Sequence, residues 1–326
     1  MSAYVPSLDL VERVAAGQTG AIARLISRAE SGVAEARPAL AEINRRAGRA
    51  HLVGLTGVPG AGKSTLVAGL AGRLRAQGRK VGIVAIDPSS PFSGGSILGD
   101  RVRMTDLVTD PGVFIRSMAT RGATGGMARA ALDAVDILDV GGFDTIVLET
   151  VGVGQDEVEI ARASHTTVVV SAPGLGDEIQ AIKAGLLEIA DIHVVSKCDR
   201  SDANRTLTDL KAMLTLGVRL SARTDWAIPV VGVSAFTGEG FEDLLAAIER
   251  HRMAAQDSEA GRARALGIAD FRIAKTAETL VLERLATAGE ALRPDLAQRL
   301  LRRESDPYSL AQALVAAAMT TRSPDL

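Results

Sequence analysis

Residues 57–64 read Gly-Val-Pro-Gly-Ala-Gly-Lys-Ser, the full G-x-x-x-x-G-K-[ST] spacing of a phosphate-cradling loop. Few short motifs constrain a fold so tightly, because this one works only between a buried strand and a helix N-terminus. Both neighbours are present. Residues 51–56 (HLVGLT) form a short apolar run, and 65–76 (TLVAGLAGRLRA) carry apolar residues at helical spacing. The loop of Gly57, Pro59, Gly60, Ala61 and Gly62 can wrap closely enough to aim successive backbone N–H groups at a polyphosphate. Lys63 would bridge the terminal phosphates, and the Ser64 hydroxyl would ligate Mg²⁺. The chain is expected to bind a nucleoside phosphate.

Further apolar runs at 80–87, 112–117, 145–149, 166–171, 192–196 and 228–234 alternate with helical stretches. That alternation predicts an α/β fold with a mostly parallel sheet covered on both faces. Residues 1–48 read as a helical extension, with Leu8, Leu10, Val11 and Val14 on one apolar face and Ile22, Leu25 and Ile26 on another. The nucleotide domain spans 49–253. Residues 254–326 read as a helical arm: one long helix over 257–288, a turn at Gly289 and Pro294, then helices over 295–303 and 306–319. From pattern alone, the arm either self-associates or packs back on its own domain.

Net charge is −2, from 37 basic and 39 acidic residues, and aromatics are 3 % of the chain. Neither nucleic acid nor a stacked single strand is an expected partner. A single cysteine, Cys198, excludes an internal disulfide. No uncharged apolar run reaches membrane-spanning length and the first residues lack a signal-peptide pattern, so a soluble cytoplasmic protein is expected. The four histidines (51, 165, 193 and 251) are scattered and suggest no metal cluster.

Chemistry gathers where the strands end. Asp87, in Asp-Pro-Ser-Ser-Pro, reads either as a carboxylate near Mg²⁺ or as a turn starter. Asp100 follows a glycine-rich stretch and is either a switch carboxylate or a helix N-cap. Glu149 closes an apolar strand, as the acidic residue beside the Mg²⁺ shell should, and Gly152 fits a backbone N–H sensing the γ-phosphate. Gln155 reads as a solvent-facing loop residue before a water-orienting one.

Ser196-Lys197-Cys198-Asp199 selects the base. The Asp199 carboxylate can accept from guanine N1–H and the 2-amino group, whereas adenine would leave it unpaired. The Lys197 stem would cover the base plane. Ser234, Ala235 and Phe236, in the turn after the last strand, would supply backbone N–H groups to guanine O6.

In order along the chain, these motifs resemble the MeaB/ArgK branch of the phosphate-loop GTPases. The matching stretches are 57–66, 84–104, 121–130, 149–160 and 173–191, and the second and fifth are distinctive of that family. The resemblance implies a GTP-hydrolysing homodimer, joined through its C-terminal arm. Its role would be as a chaperone that gates cofactor loading and protects an adenosylcobalamin-dependent acyl-CoA mutase, methylmalonyl-CoA mutase or a relative. The adenosylcobalamin would belong to the mutase. It further implies that Lys63, Ser64 and Thr65 bind phosphate and Mg²⁺, that Asp87, Asp100 and Glu149 form the metal and catalytic carboxylates, and that Gln180 and Lys183 signal to the partner. The family usually has Asn where this chain has Ser196, whose shorter side chain is expected to brace the phosphate loop less and weaken nucleotide binding. Two alternatives stand beside this reading: a small-molecule or transport-protein phosphotransferase, and a metallocentre-assembly GTPase.

Overall fold

The computed structural model describes residues 4–87, 105–119, 129–150, 156–174, 188–218 and 226–320. They divide into two compact units, Met1–Ala269 and Asp270–Leu326.

The first unit is built on a seven-stranded, all-parallel sheet. Its strands are β1 (His51–Gly57), β2 (Val81–Asp87), β3 (Val113–Ala119), β4 (Thr145–Thr150), β5 (Thr166–Ser171), β6 (Ile192–Ser196) and β7 (Val230–Val233). They lie in the order β3-β2-β4-β1-β5-β6-β7. Each expected apolar run is a strand, because a parallel sheet covered on both faces buries both sides of its central strands, whereas the outer strand β7 is only half-buried over Val230–Gly232. β1, β4 and β5 are buried along their whole length. In the core, Leu55, Leu70, Val147, Val168 and Leu244 pack together. Truncating the fully buried Leu55 to Ala would cost about 2–5 kcal/mol.

Ahead of the sheet come α1 (Ser7–Ala15), α2 (Thr19–Glu30) and α3 (Arg37–Arg46). Leu10, Val11, Val14, Ile22, Leu25 and Ile26 are buried as their spacing requires. Leu8 is not: it is 55 % exposed, since its position falls off the stripe that Leu10 and Val14 define. These helices lie on α6 (Arg129–Val140), where Asn44 Nδ2 donates to Asp136 Oδ2 at 2.8 Å and the Gly48 N–H donates to Asp139 Oδ2 at 2.6 Å.

The remaining helices of this unit include α4 (Lys63–Ala76), α5 (Thr105–Val108), α7 (Asp156–Ala163), α8 (Ala203–Val218) and α9 (Phe241–Ala255). At the sheet end remote from the phosphate loop, Asp191 Oδ1 accepts from Arg264 at 2.9 Å, and Asp191 Oδ2 accepts from the Thr167 N–H at 2.7 Å. Burial pushes the Asp191 carboxyl up. The His251 hydrogen bond and the Arg264 charge outweigh that and hold it below the usual carboxylate range.

One expectation fails in the C-terminal region. The helix α10 (Glu259–Leu301) runs unbroken through Gly289 and Pro294, where a turn was expected. An internal proline removes one backbone hydrogen bond and clashes with the preceding turn. Good helix formers on both sides (Glu290-Ala291-Leu292-Arg293, then Leu296-Ala297-Gln298) carry the helix across it. Within the second unit, α11 (Pro307–Thr320) begins after Asp306, which caps it by accepting from the Tyr308 and Ser309 N–H groups at 2.9 and 3.0 Å. Leu310 and Ala318 are buried there, while Ile273, Leu301 and Tyr308 are exposed. Among the described residues no helix is long and apolar enough to cross a membrane.

Candidate nucleotide site

The loop between β1 and α4 sits at the carboxyl ends of the central strands, where open parallel sheets collect ligands. Gly57 is forced. Its φ is +137°, and a Cβ there would stand 2.0 Å from the Val170 carbonyl oxygen on the neighbouring strand. Gly62 turns left-handed (φ +82°) directly before Lys63 opens α4, which aims the first helical N–H groups into the loop. Pro59 and Gly60 form the exposed tip, Ala61 is buried beneath it, and Thr65 faces outward from the first turn of the helix.

Lys63 is buried, with its Nζ donating to Gly57 O at 2.8 Å and Val58 O at 3.1 Å. The ammonium therefore lies across the loop's own backbone, within reach of anything the loop encloses. Ser64 Oγ donates to Glu149 Oε1 at 2.7 Å, and both side chains are buried. A hydroxyl and a carboxylate, both hard oxygen donors, fit a Mg²⁺ ion that also takes phosphate oxygens. Behind them Thr150 Oγ1 donates to Thr56 Oγ1 at 3.1 Å in the buried layer between β1 and β4. That brace was missed in the sequence, although two threonines at the ends of otherwise apolar runs are its visible trace.

Ser196 ends β6 and is buried, and its Oγ lies 2.6 Å from Ala61 O and 3.0 Å from Ser171 O. The hydroxyl thus reaches the phosphate-loop backbone, despite being shorter than the asparagine of the resembling family. Lys197 takes a left-handed backbone (φ +52°), and its Nζ donates to Gly60 O at 3.0 Å. That turn lays the lysine stem along the loop, and Asp199, two residues on, is exposed. Ser234 Oγ donates to Asp199 Oδ1 at 2.6 Å and in turn accepts from the Thr237 N–H at 3.1 Å. Ala235 and Phe236 are exposed in the same turn. Burial, with the nearby Glu239 and Asp199 charges, pushes the Cys198 thiol up, which suits a packing role and not a nucleophile.

Three segments far apart in sequence therefore converge: the loop at 57–64, Ser196 to Asp199, and the turn at 234–238. Asp87 is the last residue of β2, next to β4 and hence to the strand of Glu149. Asp100, Gly152, Gln155, Gln180 and Lys183 lie outside the described residues.

Residues 22–290 match the family described as methylmalonyl Co-A mutase-associated GTPase MeaB. A Pyrococcus horikoshii protein named as a GTPase is 42 % identical over 315 residues, covering 95 % of this chain and 98 % of that one. The Escherichia coli protein named GTPase ArgK is 38 % identical over 198 residues, 60 % of each chain. Among solved structures, one titled LAO/AO transport system kinase superposes with a TM-score of 0.70 at 24 % identity, covering 98 % of this chain and all of that one. That likeness supports the fold.

Proposed function

This chain belongs to the MeaB family of GTPases, and from that premise we propose that its hydrolysis of GTP serves an adenosylcobalamin-dependent acyl-CoA mutase. The chain would gate loading of the mutase cofactor and protect the mutase from inactivation. The observation that carries this reading is the match of residues 22–290 to a family whose description names the mutase.

The residues divide the work by charge. N–H groups of the 57–64 loop and of the first turn of α4 hold the phosphates, and Lys63 swings from the Gly57 and Val58 carbonyls onto their oxygens. Ser64 and Glu149 would hold Mg²⁺, and Asp87 and Asp100 would complete the carboxylate set. When bound, Mg²⁺ neutralises charge on the phosphates. Asp199, oriented by Ser234, accepts from guanine N1–H and the 2-amino group, and the Lys197 stem covers the base. Ala235 and Phe236 offer backbone N–H groups to O6, and Gly152 senses the γ-phosphate. Gln180 and Lys183 carry the nucleotide state to the mutase. The second unit, with Ile273, Leu301 and Tyr308 exposed, serves as the homodimer surface.

The test is a pull-down from native extract with the protein loaded with GDP or with a non-hydrolysable GTP analogue. It should capture an acyl-CoA mutase in a nucleotide-dependent way, and that mutase should raise GTP turnover. A purified mutase that neither co-elutes nor alters turnover with any nucleotide would sink the proposal.

A further inference from the structure

We propose that Arg73 is the positioning residue for guanine discrimination, acting by clamping the turn at 234–240 onto the phosphate-binding helix. The inference rests on the reading of Asp199 as the guanine acceptor.

Arg73 lies on α4, nine residues beyond Ser64 and so about 14 Å further along the same rigid rod. Its Nη1 donates to Gly69 O at 3.1 Å, within its own helix. Its Nη2 reaches out and donates to Gly238 O at 3.0 Å. The guanidinium also sits 3.9 Å over the Phe241 ring, which fixes its plane. The ring in turn fills the space over Gly69, where a Cβ would lie 2.3 Å from Phe241 Cζ. The nearby Glu242 is 3.8 Å away and mostly exposed, so it contributes little to holding the arginine.

What Arg73 grips is tied directly to the base-reading carboxylate. The Gly238 N–H donates to Ser234 O at 2.9 Å, and the Ser234 N–H donates to Glu239 O at 3.0 Å. Ser234 Oγ then donates to Asp199 Oδ1 at 2.6 Å. A continuous path therefore runs from Arg73 through Gly238 and Ser234 to Asp199. The same helix carries Lys63 and Ser64 at its other end, so α4 sets the distance between the phosphate and base subsites. Releasing the clamp frees the turn, and with it the hydrogen bond that orients Asp199, while the phosphate subsite keeps its own contacts. The consequence is selective: guanine affinity falls and the affinity common to all nucleotides does not.

Calorimetric titration of GDP and ADP into wild type, Arg73→Met, Arg73→Lys and Gly238→Ala tests this. Arg73→Met should weaken GDP about tenfold and leave ADP unchanged, the size of one charge-assisted hydrogen bond. Arg73→Lys should recover part of the loss, because an ammonium can still reach Gly238 O. Gly238→Ala attacks the contact from the other side, since its Cβ would stand 3.0 Å from Arg73 Nη2 at a left-handed φ of +82°. It should lower the GDP preference in the same direction, and it serves if Arg73→Met does not fold. A wild type that prefers GDP, with folded variants keeping that preference in full, overturns the clamp. A wild type that binds ADP as tightly as GDP overturns the Asp199 reading itself, and the clamp falls with it.

Discussion

Ser196 Oγ and the carbonyl oxygen of Ala61 stand 2.6 Å apart, joining the end of β6 to the phosphate loop across 135 positions of sequence. One hydroxyl proton faces two carbonyl acceptors, Ala61 O and the more distant Ser171 O, and the shorter contact marks Ala61 as the principal one. The segment that begins at Ser196 and the 57–64 loop are thereby one mechanical piece.

Ser196→Ala removes that donor inside a buried site. We expect about 1 kcal/mol of lost stability and a several-fold weaker GDP affinity. Chemical denaturation and calorimetry check the two effects separately. An unchanged GDP affinity would show that Ser171 and the loop hold their places without the hydroxyl.

Glu149→Gln keeps the shape of the buried side chain and removes its charge beside Ser64. Mg²⁺-dependent GTP turnover should drop by about 10²-fold, with the fold intact. Steady-state phosphate release, paired with a melting curve, reads this directly. Turnover at the wild-type level would remove Glu149 from the metal set.

Asp199→Asn replaces one acceptor oxygen with a donor. GDP should weaken by about 10²-fold, and xanthosine diphosphate, whose 2-oxo group accepts, should bind better than it does to wild type. Competition titrations with the two diphosphates measure the exchange. Parallel losses for both would mean that the carboxylate does not face the base.

His51 contributes to the pH dependence of stability. Burial, with the charges of His165, Arg252 and Arg79, pushes its imidazole from 6.5 down to about 3. Its Nε2 and the Thr166 hydroxyl are 2.9 Å apart, inside the buried face of β1 and β5. The unfolded chain takes up a proton near pH 6.5 that the folded chain refuses until about pH 3, so stability is full above that window and falls as pH drops through it. From pH 7 to 5.5 the residue should remove roughly 1 kcal/mol. Urea unfolding at both pH values, for wild type and His51→Asn, should show that difference shrinking in the variant.

Pro294→Ala restores a donor to the turn of α10 that contains Glu290. Amide exchange around that turn should slow, and the helix should gain up to about 3 kcal/mol of local stability. Unchanged exchange would show that the flanking residues already absorb the proline's cost.

Much of this was legible in the sequence, and the reason is locality. The strands show as apolar runs because a doubly covered sheet demands burial at every position, and Val168, Val169 and Val170 need no distant information to say so. The phosphate loop shows because its glycines and lysine act within eight residues. Pro294 carries the local signature of a break, yet a long helix absorbs the loss of one hydrogen bond. Leu8 misled because one leucine beside an apolar stripe does not decide its own side of the helix.

By itself the sequence determined the parallel α/β architecture and the phosphate-loop motif, since each rests on periodicity or on a motif whose parts touch along the chain. Only the tertiary structure decided the strand order and which distant groups meet: Ser64 with Glu149, Ser196 with Ala61, Asp199 with Ser234 and Arg73 with Gly238. Those pairings are set by how the sheet is ordered and how α4 lies across it, and no spacing within a strand or helix encodes them.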